Sequence, residues 1–110
     1  MNGLPEEIDV SFFYQRRLEQ LCLGEYQIQL RFDRDVEVAV EGEYTLDGQR
    51  CTVGEGHLLH HLIGLSVQSA SRNSMGDLRL DFSEHVLLLH DSNLNYESYT
   101  IRSNNDVIIV

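Results

Sequence analysis

The stretch Gly76-Asp-Leu-Arg-Leu-Asp-Phe82, followed after Ser83-Glu-His85 by Val86-Leu-Leu-Leu89, decides how this chain reads. Its first half alternates apolar and polar residues, the pattern of a strand with one buried face. The same layout occurs once before, as Ile28-Gln-Leu-Arg-Phe32, three residues, then Val36-Glu-Val-Ala-Val40. Ile28, Phe32 and Val36 lie 50 residues ahead of Leu78, Phe82 and Val86. Alternation alone makes any two amphipathic hairpins look alike, but here the Phe and the length of the break agree as well. The correspondence extends outward. Leu18 and Leu21 precede Val67 and Ala70 by 49 residues, and Tyr44-Thr-Leu46 precedes Tyr99-Thr-Ile101 by 55. Each unit therefore reads as a short helix followed by a four-stranded meander. The expected fold is mainly β (α+β), an antiparallel sheet of two repeated β-meanders with one or two short helices. It forms a single domain over residues 1–110, with an internal repeat at roughly 9–46 and 57–101.

Length and charge bound the function. A chain of 110 residues with 42% hydrophobic content can bury one core without a staple, which argues against disorder. Its 18 acidic and 8 basic residues leave a formal charge of −10, so phosphate is repelled and a nucleic-acid partner is not expected. Every basic residue is Arg, the side chain suited to fixed bidentate pairs, and some of these are expected to brace carboxylates. Cys22 and Cys51 are too few for a disulfide framework and lack zinc-finger spacing. The acidic start has no basic region before an apolar core, and no run approaches the ~18 apolar residues of a membrane span. The expectation is a cytoplasmic protein with reduced thiols and no membrane partner.

Along the chain, Asp9 is placed to cap a short helix through Phe12, Phe13 and Tyr14, with Leu18 to Leu23 following as a strand. A helix continuing to Leu21 is the alternative, since Val10, Tyr14, Leu18 and Leu21 fall at helical spacing. Gly24-Glu25 turns the chain, and Tyr26, Ile28, Leu30 and Phe32 share the inward face. Val36, Val38 and Val40 follow on the next strand, then Glu43 to Leu46, closed by the turn Asp47-Gly48. Thr52-Val-Gly-Glu55 has capping-box spacing and opens a two-turn helix stopped by Gly64; two glycines weaken the box, so a start at His57 is the alternative. Strands are expected at Val67 to Ser71, in the 76–89 hairpin and at Tyr96 to Arg102. The final run Val107-Ile-Ile-Val110 is apolar on both faces, which predicts a strand inside a sheet and covered on both sides.

Candidate chemistry is sparse. His57, His60 and His61 have a spacing that can turn two imidazoles toward a metal, but no acidic residue stands in zincin position. They read as the polar side of a helix whose Leu58, Leu59, Leu62 and Ile63 form the core, and no metal or cofactor is expected. Neither cysteine has a histidine beside it to act as a base, and Cys22 reads as core. There is no nucleophile elbow and no phosphate loop, so the chain is not expected to be an enzyme. What stands out is acid. Asp33, Asp35, Glu37, Glu41, Glu43 and Asp47 lie within fifteen residues, opposed in that run only by Arg34. Such crowding disfavours the free fold slightly and suits a cationic partner, so these six are the candidate partner-binding residues. A calcium loop is a further reading of the same acids, though the EF-hand spacing and its Gly are missing.

The hairpin Gly76–Phe82, the turn Leu62-Ile63-Gly64 with Val67 beyond it, and Tyr96-Glu97-Ser98-Tyr99 together carry a resemblance. Over residues 18–110 the chain resembles a family of small bacterial β-rich domains of uncharacterised function. Tyr99 stands where that family usually has Trp, and Ser83-Glu-His85 replaces a Gly-containing turn. The resemblance implies a fold and no catalytic residues. In size, charge and lack of enzyme motifs the chain is also similar to immunity proteins of bacterial toxin systems, including contact-dependent growth inhibition. That similarity implies an antitoxin role, with a basic toxin domain as partner. The alternatives are a structural or oligomerising domain using Leu87 and Leu89, and a small-ligand or metal-binding protein.

Overall fold

A computed structural model describes residues 4–91, 98–104 and 106–110. A 3-10 turn (Ser11–Phe13) leads into β1 (Leu18–Leu23), β2 (Ile28–Phe32), β3 (Val36–Val40), β4 (Tyr44–Leu46) and β5 (Gln49–Cys51). A 3-10 helix (Val53–Leu62) precedes β6 (Val67–Arg72), β7 (Leu78–Phe82), β8 (Val86–Leu89), β9 (Tyr99–Ser103) and β10 (Asp106–Ile109). The chain is mostly β, and its strands form two antiparallel five-stranded sheets ordered β1-β2-β3-β9-β10 and β5-β4-β8-β7-β6.

The two sheets follow one plan. β1 pairs with β2 through a bulge between Leu18 and Gln20, and β6 pairs with β7 through a bulge between Val67 and Ser69, 49 residues on. A bulge adds one unpaired residue and bends its strand, so its recurrence at one place is more specific than alternation. The sheets meet where β1 and β6 begin, at the bridge Arg17↔Ser66. The Leu18 amide donates to the Leu65 carbonyl there, and the Val67 amide to that of Arg16. Exchanging residues 49 apart, Leu18 with Val67 and Leu65 with Arg16, turns one of these bonds into the other, so the junction lies on a local pseudo-twofold axis. The amides of Gln15 and Gly64, donating to Val67 and Leu18, obey the same exchange.

Three expectations change in detail. Beyond its first three strands, each unit hands its chain to the other sheet: β4 pairs with β8, and β9 pairs with β3. The pattern also runs past residues 46 and 101, because β5 and β10 each close a further hairpin. Finally, Phe82 and His85 exchange amide bonds around a two-residue loop. The second hairpin is thereby one residue tighter than the first, and Leu87 and Leu89, not Val86, take the inward positions of Val38 and Val40.

The inward faces of both sheets supply one core. Phe32 and Phe82, at 5% and 3% exposure, occupy matching ends of β2 and β7. The helix Val53–Leu62 is fastened to this core by the Tyr44 hydroxyl, which donates to the Glu55 carbonyl at 2.7 Å. At Gly56 its backbone sits so close that a Cβ would meet Leu23 Cδ2 at 2.8 Å and Ile28 at 2.9 Å. Glu55 reaches back to the Thr52 amide at 3.1 Å, as the capping-box spacing anticipates. Gly64 ends the segment at φ +91°, a conformation that costs an L side chain. The early stop of the first helix holds, with the Asp9 carboxylate accepting the Ser11 amide at 2.9 Å.

Other inward assignments fail. Tyr26 is 77% exposed, because the β1–β2 turn carries it out of the strand pattern. Cys22 is half-buried, and Cys51 is the cysteine in the core. Leu87 and Leu89 are fully buried, so they offer no surface to a second copy. The run at Val107 to Val110 is an edge strand, not an internal one, and Val107 and Ile109 are exposed. Within the expected strand at Tyr96 to Arg102, residues 96 and 97 lie outside the described residues.

Candidate functional site: an acidic cleft beside the β1–β2 turn

The six predicted acids do not form one face. Asp33 is a fastening residue: its carboxylate accepts the Arg17 amide at 3.1 Å and pairs with Arg16 at 3.9 Å, tying the β2–β3 turn to the chain before β1. Asp47 fastens the other sheet. It accepts the Val86 amide at 2.8 Å and holds His85 Nδ1 at 2.6 Å, joining the β4–β5 and β7–β8 turns. Burial, the largest influence on its carboxyl, pushes the pKa up, but those two hydrogen bonds and the His85 charge together hold it below the ordinary value. Asp35 is exposed, with a backbone φ of +61° in the β2–β3 turn.

Glu37 lies between arginines. On the outward face of the first sheet it stands opposite Arg31 on β2 and Arg102 on β9, giving a row of alternating sign. Arg31 is itself held by the side-chain carbonyls of Gln20 and Gln29 at 3.3 and 3.1 Å. Standing between two arginines, Glu37 belongs to no purely acidic patch, while the Arg–carboxylate pairs that the composition suggested form at Asp33, Glu43 and Asp81. Reversing it with Glu37→Arg should place three like charges in one row. At ~0.2–1 kcal/mol for each cross-strand pair, counted from attraction to repulsion, the loss should be about 1–2 kcal/mol. Urea unfolding would measure it, and the loss should shrink at high salt.

The remaining two acids do come together. Glu41 and Glu43, on the connection from β3 to β4, join Glu25 and Tyr26 on the β1–β2 turn around a cleft of about 350 Å³. Thr52, Val53 and Gly54 at the start of the helix close its far wall, and among the described residues no basic side chain lines it. Glu43 also pairs with the exposed Arg50 on β5. Glu25 and Glu41 are exposed and hold no ion pair among the described residues. Reading the acidic run alone missed Glu25 and Tyr26, sixteen and fifteen residues before Glu41. The available signal was the solvent-facing turn at Gly24-Glu25, which an aromatic residue follows.

A second constellation escaped the sequence. The Asp77 carboxylate accepts from Asn73 Nδ2 at 3.1 Å and from the Asp91 amide at 3.3 Å, and it faces His90 Nδ1 at 3.0 Å. His90 Nε2 lies 2.6 Å from Thr45 Oγ1. An ionised carboxylate only accepts, so His90 donates to it through Nδ1, and the other ring nitrogen shares a hydrogen bond with the Thr45 hydroxyl. The order carboxylate, imidazole, hydroxyl is that of a nucleophilic relay. Thr45, however, sits inside β4 with strands paired on both sides, at Arg50 and Leu88. The neighbouring amides that would stabilise an oxyanion are committed to those ladders. The relay therefore works as a clasp between β4, β7 and β8.

The clasp should be visible in acid. Burial is the largest influence on Asp77 and raises its pKa, but the bonds from Asn73, His90 and the Asp91 amide, with the His90 charge, together lower it. A carboxyl lowered on folding stabilises the fold above its unfolded pKa, and that contribution disappears as pH falls through the folded value. Asp77→Asn should cost stability at pH 7 and flatten the decline below about pH 4, where an unfolded Asp protonates. Denaturant titrations at a series of pH values would check both effects. Asp47 and Asp81 are lowered too, so the slope should weaken without vanishing.

His57, His60 and His61 are exposed and line a groove with Leu21, Leu23 and Ile63. The rings of His60 and His61 stand edge to face, 6.4 Å apart. Among the described residues no group of three or more His, Cys, Asp or Glu side chains is gathered to hold a metal. Among the same residues no helix is long and apolar enough to cross a membrane. Comparison with known proteins adds nothing further: no family model matches the chain, and no curated protein or solved structure matches it either.

Proposed function

We propose that this chain is a stoichiometric binding protein of the immunity type, which neutralises a basic bacterial toxin domain in the cytoplasm. The observation that carries the reading is the cleft of Glu25, Glu41 and Glu43 with Tyr26 at its rim, on a chain of net charge −10. Glu43 is paired with Arg50, but Glu25 and Glu41 hold no ion pair among the described residues and attract a Lys or Arg side chain. An exposed tyrosine ring can take the same cation on its face, for about 0.5–1 kcal/mol at an open site. Similarity to immunity proteins in size and acidity supports the toxin as partner. The two free thiols suit a reducing compartment. The clasp at Asp77, His90 and Thr45 and the bracing of Glu37 are taken as structural, which leaves the protein without catalysis. The test is binding of the native partner by the Glu25→Arg, Glu41→Arg double variant, which should be much weaker than wild type while the fold is kept.

A further inference from the structure

We infer that the β10 edge pairs with the β10 edge of a second copy of this chain, joining two five-stranded sheets into one of ten. Sheet edges are normally guarded by charge, Pro, a bulge or a covering segment. β5, the edge that matches β10 in the other sheet, is guarded. It is three residues long, carries Gln49 and Arg50 exposed, and leads at once into the helix. β10 has no Pro, no Gly and no bulge in its register with β9. Its outward side chains, Val107 and Ile109, are 51% and 47% exposed. A run whose sequence predicts an internal, doubly covered strand is thus left, among the described residues, with one side open.

The hydrogen-bond phase of the edge suits its own copy. Tyr99 and Val110 exchange both amide bonds, at 3.3 and 2.9 Å. In an antiparallel ladder such pairs recur every second residue, so Ile101 with Ile108 is the next. The amides and carbonyls of Val107 and Ile109 therefore point away from β9. A twofold axis at Ile108 sets Val107 of each copy against Ile109 of the other, and all four outward-pointing groups of each copy find partners. The same register joins both pairs of side chains into one apolar cluster, as an isologous contact requires.

Charge favours a second copy over a cationic segment at this edge. From Tyr99 to Val110 the charged residues are Arg102 and Asp106, so the hairpin is locally neutral on a strongly acidic chain. In the proposed register Asp106 faces Val110 of the other copy. The two Asp106 side chains then stand four residue steps apart, about 13 Å, beyond the ~8 Å screening length at physiological salt.

Sedimentation equilibrium of the full chain from about 1 to 500 µM would test this, because a homodimer assembles by mass action. The mass should rise with concentration from 12.7 kDa toward twice that value. Ile109→Pro should stay monomeric with the fold intact, since the amide it removes serves no bond within the sheet. Val107→Lys should do the same and decides the matter if the proline variant does not fold. Added salt should strengthen the dimer by screening two acidic chains, whereas it should weaken binding of a basic partner at the cleft, so the two proposals fail separately. Wild type that stays monomeric throughout, or variants that dimerise like wild type, would overturn the inference.

Discussion

Phe82→Ala should lower the stability of this protein by about 3–5 kcal/mol, and Phe32→Ala by a similar amount. Both rings are almost fully buried, and each ends a strand opposite the residue before a bulge, Leu18 for Phe32 and Val67 for Phe82. Phe32 also makes a T-shaped pair with Phe13, ring centres 5.8 Å apart, so its removal strips the 3-10 turn of a partner. Neither hole can close easily, because the bulge and the hairpin turn fix the backbone on both sides. Against a total stability of about 5–15 kcal/mol, either change consumes a large share, and the double variant should not fold. Urea unfolding of the single variants would measure it. A loss below about 1 kcal/mol in either would mean that the matching ends of β2 and β7 are not core positions.

The hairpins were legible because alternation, a fixed break and a terminal Phe all constrain the same backbone. What escaped was long-range pairing. Nothing local in Tyr44-Thr-Leu46 says that it leaves the sheet of β3 for that of β8, since β4 looks the same to either neighbour. The Asp47-Gly48 turn marked the end of β4, yet β5 went unseen because Gln49-Arg-Cys51 offers a single inward apolar residue. Val86 was misplaced by one residue because Val86-Leu-Leu-Leu89 is apolar throughout and carries no phase of its own. Only the two-residue turn at Ser83-Glu84 fixes it. For the site, the sequence supplied the acids but not their partners. Asp33, Glu37 and Asp47 found Arg16, Arg31 with Arg102, and His85, mostly from distant elements. Glu41 and Glu43 instead met Glu25, which belongs to no acidic run.

Reversing Glu25 and Glu41 to Arg should have the largest effect on binding. Both side chains are exposed, so the folded chain should tolerate the change. A partner cation seated in the cleft would then face positive charge where it now finds carboxylates. Breaking a desolvated pair from one side costs ~2–5 kcal/mol and acts mainly on dissociation, while charges at the rim act on association. The expected loss of affinity is therefore at least tenfold, since 1.4 kcal/mol already corresponds to a factor of ten. Tyr26→Ala should give a smaller loss, because an exposed ring holds a cation for about 0.5–1 kcal/mol.

The most direct measurement takes the native partner, recovered by pull-down, and records association and dissociation rates for wild type and the Glu25→Arg, Glu41→Arg variant across a salt series. Electrostatic steering predicts fast wild-type association that slows steeply as salt rises, with the variant slow throughout and quicker to dissociate. Equal rates for the two proteins, with no dependence on salt, would contradict a cationic partner in the cleft.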